Sequence, residues 1–266
     1  MCGIAGYSLS PSSRVDRTLA AQTLLAAIAE RGSDAVGYAY RSDTPEIAVR
    51  KQRGGAGALL DEMSVPVDAT QLLVHVRDYT KGHPSIEANN HPVCHGSVVG
   101  IHNGIVFNDE EILDEHGFRR AHPEMTVDSE AIFALAEQFE GRASAFEQCR
   151  GSLAVGWLDS RRPDVLFLAR GAGRPLWVGA CPDGTFFAST RRALEIVERF
   201  LRLRLHKVEL PEGSLVALVR GLPAWEESWT PRRDYEERYL PSVRAAGEGE
   251  LAMQRLAAIV AATTAY

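Results

Sequence analysis

The sequence lacks three features that would assign a chain early to a class: paired cysteines, a long apolar run and an excess of positive charge. Its four cysteines are scattered with no CxxC pair, which disfavours a disulfide framework and indicates reduced thiols in a cytoplasmic protein. The longest apolar stretch, near Leu256–Ala262, is too short to span a bilayer, so we expect no membrane partner. No basic segment followed by an apolar run opens the chain, so we expect no secretory signal. The net charge of -6 argues against nucleic acid as a main partner.

What the chain has is enough apolar content, 45% of its 266 residues, to bury a sizeable core. Its second half contains short strand-like segments separated by turn signals, for example Val165–Arg170 and Thr185–Ser189. Many short strands joined by tight turns predict antiparallel sheets, and segments such as Ser129–Gln138 predict helices that cover the sheets from outside. The expected class is α+β with stacked sheets.

The last part of the chain differs in composition from the rest. We predict a strand over Leu201–Val208, where leucine alternates with basic residues. From about Pro223 the sequence becomes rich in tryptophan and charge, so we predict a domain over residues 1–222 and an extended tail over residues 223–266. The tail includes an amphipathic helix over Gly249–Thr263. Its apolar face docks on the chain's own domain or, alternatively, forms a subunit contact in a homo-oligomer.

Cys2 directly follows Met1, and removal of that methionine would leave a thiol and a free α-amine on one residue. An α-amine has a pKa of roughly 7.7–8.0, so it can be neutral near neutral pH and accept the proton of the neighbouring thiol. Such a nucleophile carries its own base and needs no histidine partner. The alternative is that Cys2 is a small apolar residue that opens the first strand.

Six short motifs follow one another in an order that carries a family resemblance. They are Met1-Cys2-Gly3-Ile4-Ala5-Gly6, Arg31-Gly32-Ser33-Asp34-Ala35-Val36-Gly37, His75-Val76-Arg77-Asp78-Tyr79-Thr80-Lys81-Gly82, Asn89-Asn90-His91-Pro92, His102-Asn103-Gly104-Ile105 and Asp128-Ser129-Glu130. With weaker echoes further along, the chain resembles the class II glutamine amidotransferases, a family of N-terminal-nucleophile hydrolases, over roughly residues 2–220.

That resemblance implies a four-layer αββα sandwich of two antiparallel sheets, with Cys2 on the first strand as the nucleophile. It implies that Asn103 and Gly104 form the oxyanion hole, through the asparagine side-chain amide and the glycine backbone N–H. Asn-Gly between apolar residues is also the commonest short hairpin signal, so we predict that Val98–Phe107 turns there. The two interpretations are compatible. No metal or organic cofactor is implied for this reaction.

The same resemblance implies a grip on the amino-acid end of glutamine. Arg77 would bind the α-carboxylate, because a planar guanidinium matches a carboxylate bidentately, and Thr80 could add a hydroxyl. Asp128 would pair with the α-ammonium. A surface ion pair for Arg77 and a helix N-cap for Asp128 are the alternatives. His91 and Asn89 are expected to brace the loop that follows Arg77, residues 78–82, here called the substrate loop.

The loop after Arg77 departs from the family pattern. Asp78 stands where related loops usually carry tryptophan, Tyr79 follows it, and Lys81 stands where some relatives have histidine. The departure predicts a differently shaped substrate loop, and the carboxylate of Asp78 could compete for Arg77.

The function that follows is hydrolysis of the glutamine side-chain amide to glutamate and ammonia. Because the sequence ends soon after the matching part, we expect a separate synthase subunit to receive the ammonia. Two alternatives stay open: a hydrolase of another amide, and an inactive binding or regulatory relative. A zinc site at His91, Cys94, His95 and His102 is disfavoured, since Pro92 breaks helical ligand spacing and no second carboxylate or cysteine pair lies nearby.

Overall fold

The computed structural model of the chain describes residues 1–42 and 44–264. Its strands, in chain order, are β1 (Gly3–Leu9), β2 (Ala35–Arg41), β3 (Ala48–Arg53), β4 (Gln71–Arg77), β5 (Val93–His95), β6 (Val98–Val106), β7 (Gly151–Asp159), β8 (Val165–Arg170), β9 (Trp177–Cys181), β10 (Gly184–Ala188), β11 (His206–Glu209), β12 (Ser214–Val219) and β13 (Leu222–Ser228). Its α-helices are α1 (Arg17–Ile28), α2 (Ala56–Leu60), α3 (Asp109–His116), α4 (Ser129–Gln138), α5 (Arg191–Leu201) and α6 (Ala246–Thr264). Short 3-10 turns cover Ala29–Arg31, Glu87–Asn89 and Ala143–Gln148.

The strands form two sheets in the described part of the chain. The first sheet has the order β11-β9-β10-β1-β4-β2-β3, and the second has the order β13-β12-β8-β7-β6-β5. Neighbouring strands pair antiparallel throughout both sheets. The N-terminal strand β1 lies in the middle of the first sheet, between β10 and β4, so the start of the chain is held from both sides.

Side-chain alternation along the strands separates three apolar layers. On β4, Leu72, Val74 and Val76 belong to a cluster with α1, α2, α5 and α6, whereas Leu73 points the other way. Leu73 joins a second cluster that lies between the sheets. A third cluster packs α3 and α4 against the outer face of the second sheet. The layers therefore run helices, sheet, sheet, helices, and the α+β αββα prediction is confirmed.

Three local predictions are wrong. Val98–Phe107 does not turn at Asn103-Gly104, because β6 continues through both residues and pairs with β7 along its whole length. The segment predicted as a strand over Leu201–Val208 starts on the last residue of α5 and is a strand only from His206, where β11 begins, since the apolar periodicity of the helix runs on to Leu201.

The segment after Pro223 does not begin as an extended tail. Leu222–Ser228 pairs with β12 as the last strand of the second sheet, so the division proposed after residue 222 falls inside a strand.

The C-terminal helix docks on the chain's own domain, the first of the two alternatives that the sequence left open. Ala252 and Leu256 are fully buried in the cluster that α1 and the first sheet share. The carboxylate of Glu248 accepts a hydrogen bond from the backbone N–H of Gly57 at 2.6 Å. Leu251, on the same helix, is 40% exposed. Among the described helices, none combines the length and the apolar character that crossing a membrane would take.

Candidate active site

Cys2 lies immediately before β1 and is tied to two neighbouring segments. Its carbonyl accepts a hydrogen bond from Arg31 Nε at 2.8 Å, and its Sγ donates to the backbone carbonyl of Asp78 at 3.5 Å. Burial raises the pKa of the Cys2 thiol, while the Asp78 hydrogen bond and the charge of Arg77 act in the opposite direction. A thiol whose pKa is raised is protonated at neutral pH and needs a base before it can attack a carbonyl carbon.

Asn103 presents an unpaired amide inside the protein. Its side chain is 1% exposed, and neither Nδ2 nor Oδ1 has a hydrogen-bond partner among the described residues. Leaving a buried polar group unpaired costs about 1–3 kcal/mol, so a buried amide without a protein partner is a candidate for a functional role. Ile101, two residues earlier on β6, belongs to the cluster between the sheets. Asn103 therefore points into the same space, across which β6 contacts β1.

Gly104 supplies backbone that only glycine tolerates. Its φ is +153°, and a Cβ added there would lie 1.9 Å from the backbone oxygen of Ser152. Residue 104 therefore stays without a side chain beside the unpaired amide of Asn103.

Arg77 ends β4 and points into the interior. It is 2% exposed, so the alternative of a surface ion pair is wrong. Its Nη1 donates to Asn90 Oδ1 at 2.6 Å, and its Nη2 donates to the carbonyl of Lys81 at 2.8 Å and to that of Gly82. Burial lowers the pKa of Arg77, and the nearby Cys2 and Asp128 oppose that shift. The guanidinium thus lies near both groups and holds the substrate loop from inside.

Asp128 occupies the N-cap position of α4 without capping it. No hydrogen bond from its own helix reaches the carboxylate in the described structure, so the capping alternative is wrong. Its Oδ2 instead accepts from the backbone N–H of Val106 at 2.8 Å. Val106 ends β6, three residues after Asn103, so the buried carboxylate stands beside the strand that carries the unpaired amide.

The remaining predicted residues lie around the substrate loop. Asn89 Oδ1 accepts from the backbone N–H groups of Thr126 at 2.8 Å and Val127 at 3.0 Å, and its Nδ2 donates to the His83 carbonyl at 3.2 Å. Asn89 therefore joins the loop to the segment that precedes Asp128. His91 is buried, and Thr80 lies exposed on the loop.

A buried histidine cluster that the sequence did not reveal lies beneath the site. Ser129 Oγ is within 3.0 Å of His91 Nε2 and within 2.9 Å of His102 Nδ1. His75 stacks on His91 with 4.2 Å between ring centroids, and its Nε2 lies 3.1 Å from the carbonyl of His102. In the sequence, Ser129 is the middle residue of the Asp128-Ser129-Glu130 motif, and the motif itself does not indicate that the serine contacts two histidines. Among the described residues, no group of three or more histidine, cysteine, aspartate or glutamate side chains is arranged to hold a metal.

We expect the free energy of unfolding to fall as pH drops from about 6.5 toward 3. Burial lowers the pKa of His75 to about 3 and also lowers the pKa values of His91 and His102. The unfolded chain therefore binds protons that the folded chain excludes. His75 costs about 1.4 kcal/mol per pH unit across that window, and His91 and His102 add to the slope until the pH reaches their own lowered pKa values. Denaturant titrations across this range measure the slope. Exposed His122→Gln should leave it unchanged, and a slope below that of one proton would contradict the prediction.

Asp78 and Lys81, two residues of the substrate loop that depart from the family pattern, form ion pairs with other segments of the chain. Asp78 does not take Arg77 from its partners; its carboxylate pairs with the Met1 ammonium and lies 3.4 Å from Arg244 Nε. Lys81 Nζ reaches Asp109 Oδ1 at 2.7 Å, on α3. The expected competition for Arg77 is therefore absent from the described contacts.

Comparison with known proteins agrees with this geometry. A family model described as a glutamine amidotransferase domain matches residues 80–196. The glutamine–fructose-6-phosphate aminotransferase of Methanothermobacter thermautotrophicus is 31% identical over 82% of this chain and 37% of its own length. The enzymes of the same name are 30% identical over 83% of the chain in Escherichia coli and 28% identical over 94% in Pseudomonas putida. The chain spans 36–41% of the length of these three relatives.

Solved structures show the same fold. The glutamine phosphoribosylpyrophosphate amidotransferase of Bacillus subtilis, complexed with ADP and GMP, superposes with a TM-score of 0.67 at 16% identity, over 85% of this chain and 49% of that one. A structure described as the allosteric regulatory enzyme of purine biosynthesis also gives 0.67, at 18% identity. The motifs, the two-sheet sandwich and these matches agree, and the chain belongs to the class II glutamine amidotransferases, in the N-terminal-nucleophile type of fold.

Proposed function

We propose that this chain hydrolyses the side-chain amide of glutamine to glutamate and ammonia through a thioester on Cys2. The observation that carries the proposal is the buried, unpaired amide of Asn103, which points into the space between the sheets near the N-terminus. The structural alternatives are that Cys2 is a small apolar residue and that Asn103 lies in a tight turn. Neither of them explains why the amide of Asn103 is buried without a partner between the sheets.

The reaction begins when the α-amine of Cys2, freed by removal of Met1, takes the proton of the thiol. The thiolate attacks the amide carbon, and the oxygen of the tetrahedral intermediate accepts hydrogen bonds from Asn103 Nδ2 and the Gly104 backbone N–H. The α-ammonium returns its proton to the leaving nitrogen, and ammonia departs. Water, activated by the same amine, then cleaves the thioester to release glutamate.

The amino-acid end of glutamine would be held by opposite charges. Arg77 binds the α-carboxylate, Thr80 adds a hydroxyl, and Asp128 pairs with the α-ammonium. Two features support this assignment: Arg77 and Asp128 are both buried, and the charge of Arg77 interacts with Cys2 on one side and with Asp128 on the other. Asn89 and His91 brace the loop and the helix start from which these groups project.

We further propose that the ammonia passes to a synthase on a separate chain, in the cytoplasm. The matched relatives are named as aminotransferases and are more than twice as long as this chain. Release of free ammonia would waste glutamine, which favours a partner that uses it. A synthase that copurifies with the full chain would support the idea, and a lone monomer with full activity would count against it.

The test is the release of glutamate and ammonia in equal amounts from glutamine by the full chain. Asparagine and a glutamine peptide with a blocked α-amine are offered in parallel, and Cys2→Ala is the inactive control. Faster ammonia release from another amide would favour the alternative that the chain is a hydrolase of that amide and not of glutamine. No activity with any amide, in protein shown by intact mass to begin at Cys2, would favour a binding or regulatory relative.

Arg77→Lys is expected to raise KM for glutamine by at least about tenfold, because an ammonium cannot make the two parallel hydrogen bonds of a guanidinium. Steady-state kinetics measure the effect. Arg53→Lys, at the exposed end of β3, is the matched control and should leave KM in place. An unchanged KM in Arg77→Lys would remove Arg77 from substrate binding.

A further inference from the structure

One residue of the substrate loop, Asp78, holds the start of the chain at two points. Its carboxylate pairs with the ammonium of Met1. Its backbone carbonyl accepts the hydrogen bond from Cys2 Sγ at 3.5 Å. The α-nitrogen of Cys2 lies along the chain between these two contacts, so the amine that appears when Met1 is removed emerges next to Asp78.

Asp78 is itself held by the segment that leads into α6. Arg244 Nε lies 3.4 Å from the same carboxylate oxygen that meets the Met1 ammonium. The backbone N–H groups of Arg244 and Ala245 both donate to the carbonyl of Glu30 at 2.9 Å. The side chain of Asp78 is 17% exposed and that of Arg244 is 40% exposed, so the carboxylate is mostly withdrawn from water while the guanidinium stays partly solvated. The carboxylate thus has a fixed partner on one side and the N-terminus on the other.

We propose that Asp78, held by Arg244, is a positioning residue for the α-amine of Cys2 in the processed chain; this inference rests on the proposed function. An N-terminal amine rotates about the bond between its nitrogen and Cα, and it works as a base only when its lone pair faces the thiol. A carboxylate that accepts a hydrogen bond from the amine restricts that rotation. Asp78 stands where related loops usually carry tryptophan. This contact between the loop and the α-amine therefore depends on a residue that departs from the usual pattern.

The placement also has an electrostatic consequence. A carboxylate beside an amine favours the ammonium form, and a cation beside that carboxylate opposes the effect. Other charged groups near the N-terminus are Arg31, Arg77, Asp34 and Glu30. Removal of Asp78 and removal of Arg244 should therefore shift the proton affinity of the Cys2 amine in opposite directions, while these four groups stay constant.

The experiment compares Asp78→Asn, Asp78→Glu and Arg244→Gln with the wild type, each verified by intact mass to begin at Cys2. Arg232→Gln is the control, because Arg232 is a cation of the same segment that pairs with Asp234. Two quantities are measured: the acidic limb of the pH profile of kcat/KM for glutamine, and the titration midpoint of the Cys2 α-nitrogen by NMR without glutamine. We expect both to move down by about half a pH unit or more in Asp78→Asn, and up in Arg244→Gln.

Asp78→Glu keeps the negative charge and should stay close to the wild type, and Arg232→Gln should not move. A midpoint unchanged in Asp78→Asn would overturn the proposal. Shifts in the same direction for Asp78→Asn and Arg244→Gln would do so too, because general loosening of the loop would then explain both. The NMR midpoint needs no substrate, so loss of the proposed glutaminase function would leave it measurable and the two failures distinguishable.

Discussion

Replacing Cys2 with alanine is expected to abolish glutamine hydrolysis, with a loss of at least about 10⁴-fold in kcat. The substitution removes the only atom that can form the thioester, while the α-amine, Asn103 and Arg77 remain in place. Without the covalent step, the positioned groups can at most assist direct attack by water. The rate of ammonia release measures the loss.

Two further variants separate chemistry from structure. Cys94→Ala removes an exposed thiol on β5 and should retain full activity. Cys2→Ser replaces the thiol with a hydroxyl of similar size at the N-terminus. We expect this variant to hydrolyse glutamine slowly, because a hydroxyl gives up its proton to an amine far less readily than a thiol does. If Cys2→Ala released ammonia at the wild-type rate, the thioester mechanism would be wrong.

The sequence revealed those parts of the fold that depend on local pattern. Asp16 is a residue type typical of a helix N-cap, and its carboxylate accepts from the backbone N–H of Leu19 at 2.9 Å at the start of α1. The strand predicted over Val165–Arg170 and the helix predicted over Ser129–Gln138 have the same bounds in the structure. Apolar periodicity and cap chemistry act within a few residues, so a single sequence carries them.

The parts that the sequence did not reveal depend on distant partners. Asn103-Gly104 has the composition of a tight turn, but pairing with the whole length of β7 keeps both residues in an extended strand. Asp78 was expected to act on its neighbour Arg77, whereas its observed partners are the chain's first residue and Arg244. The role of Ser129 as a shared partner of two histidines depends on the start of α4, the middle of β6 and the loop before β5, which only the fold brings together.

The candidate site shows the same division more sharply. The residue types came from motifs, and the resemblance supplied their roles. What the motifs could not supply was the choice between a functional and an ordinary structural explanation for Arg77 and Asp128. Burial settles the position of each side chain: Arg77 is 2% exposed and Asp128 is 3% exposed. Their contact with glutamine stays a proposal, which the kinetics of Arg77→Lys would test.

Replacing Asn103 with alanine is expected to lower kcat by about 10²–10³, the usual cost of losing one oxyanion-hole donor. The donor acts on charge that develops in the tetrahedral intermediate, so kcat should fall and KM should change little. Asn103→Asp is expected to be at least as slow, because a carboxylate at this position would repel the developing oxyanion.

The stability of these variants should behave in the opposite sense to their activity. The amide of Asn103 is buried without a partner, so Asn103→Ala removes a destabilising group and should leave the free energy of unfolding unchanged or higher. Asn108 is the matched control, a buried asparagine whose Nδ2 donates to the Gln148 carbonyl at 3.0 Å and whose Oδ1 accepts from the Arg150 backbone N–H at 2.8 Å. Asn108→Ala should lose about 1–3 kcal/mol of stability and keep kcat. Denaturant unfolding measures the stability of both variants, and steady-state kinetics measure their kcat. If Asn103→Ala instead lost stability and kept its rate, the amide would be structural and the oxyanion hole would lie elsewhere.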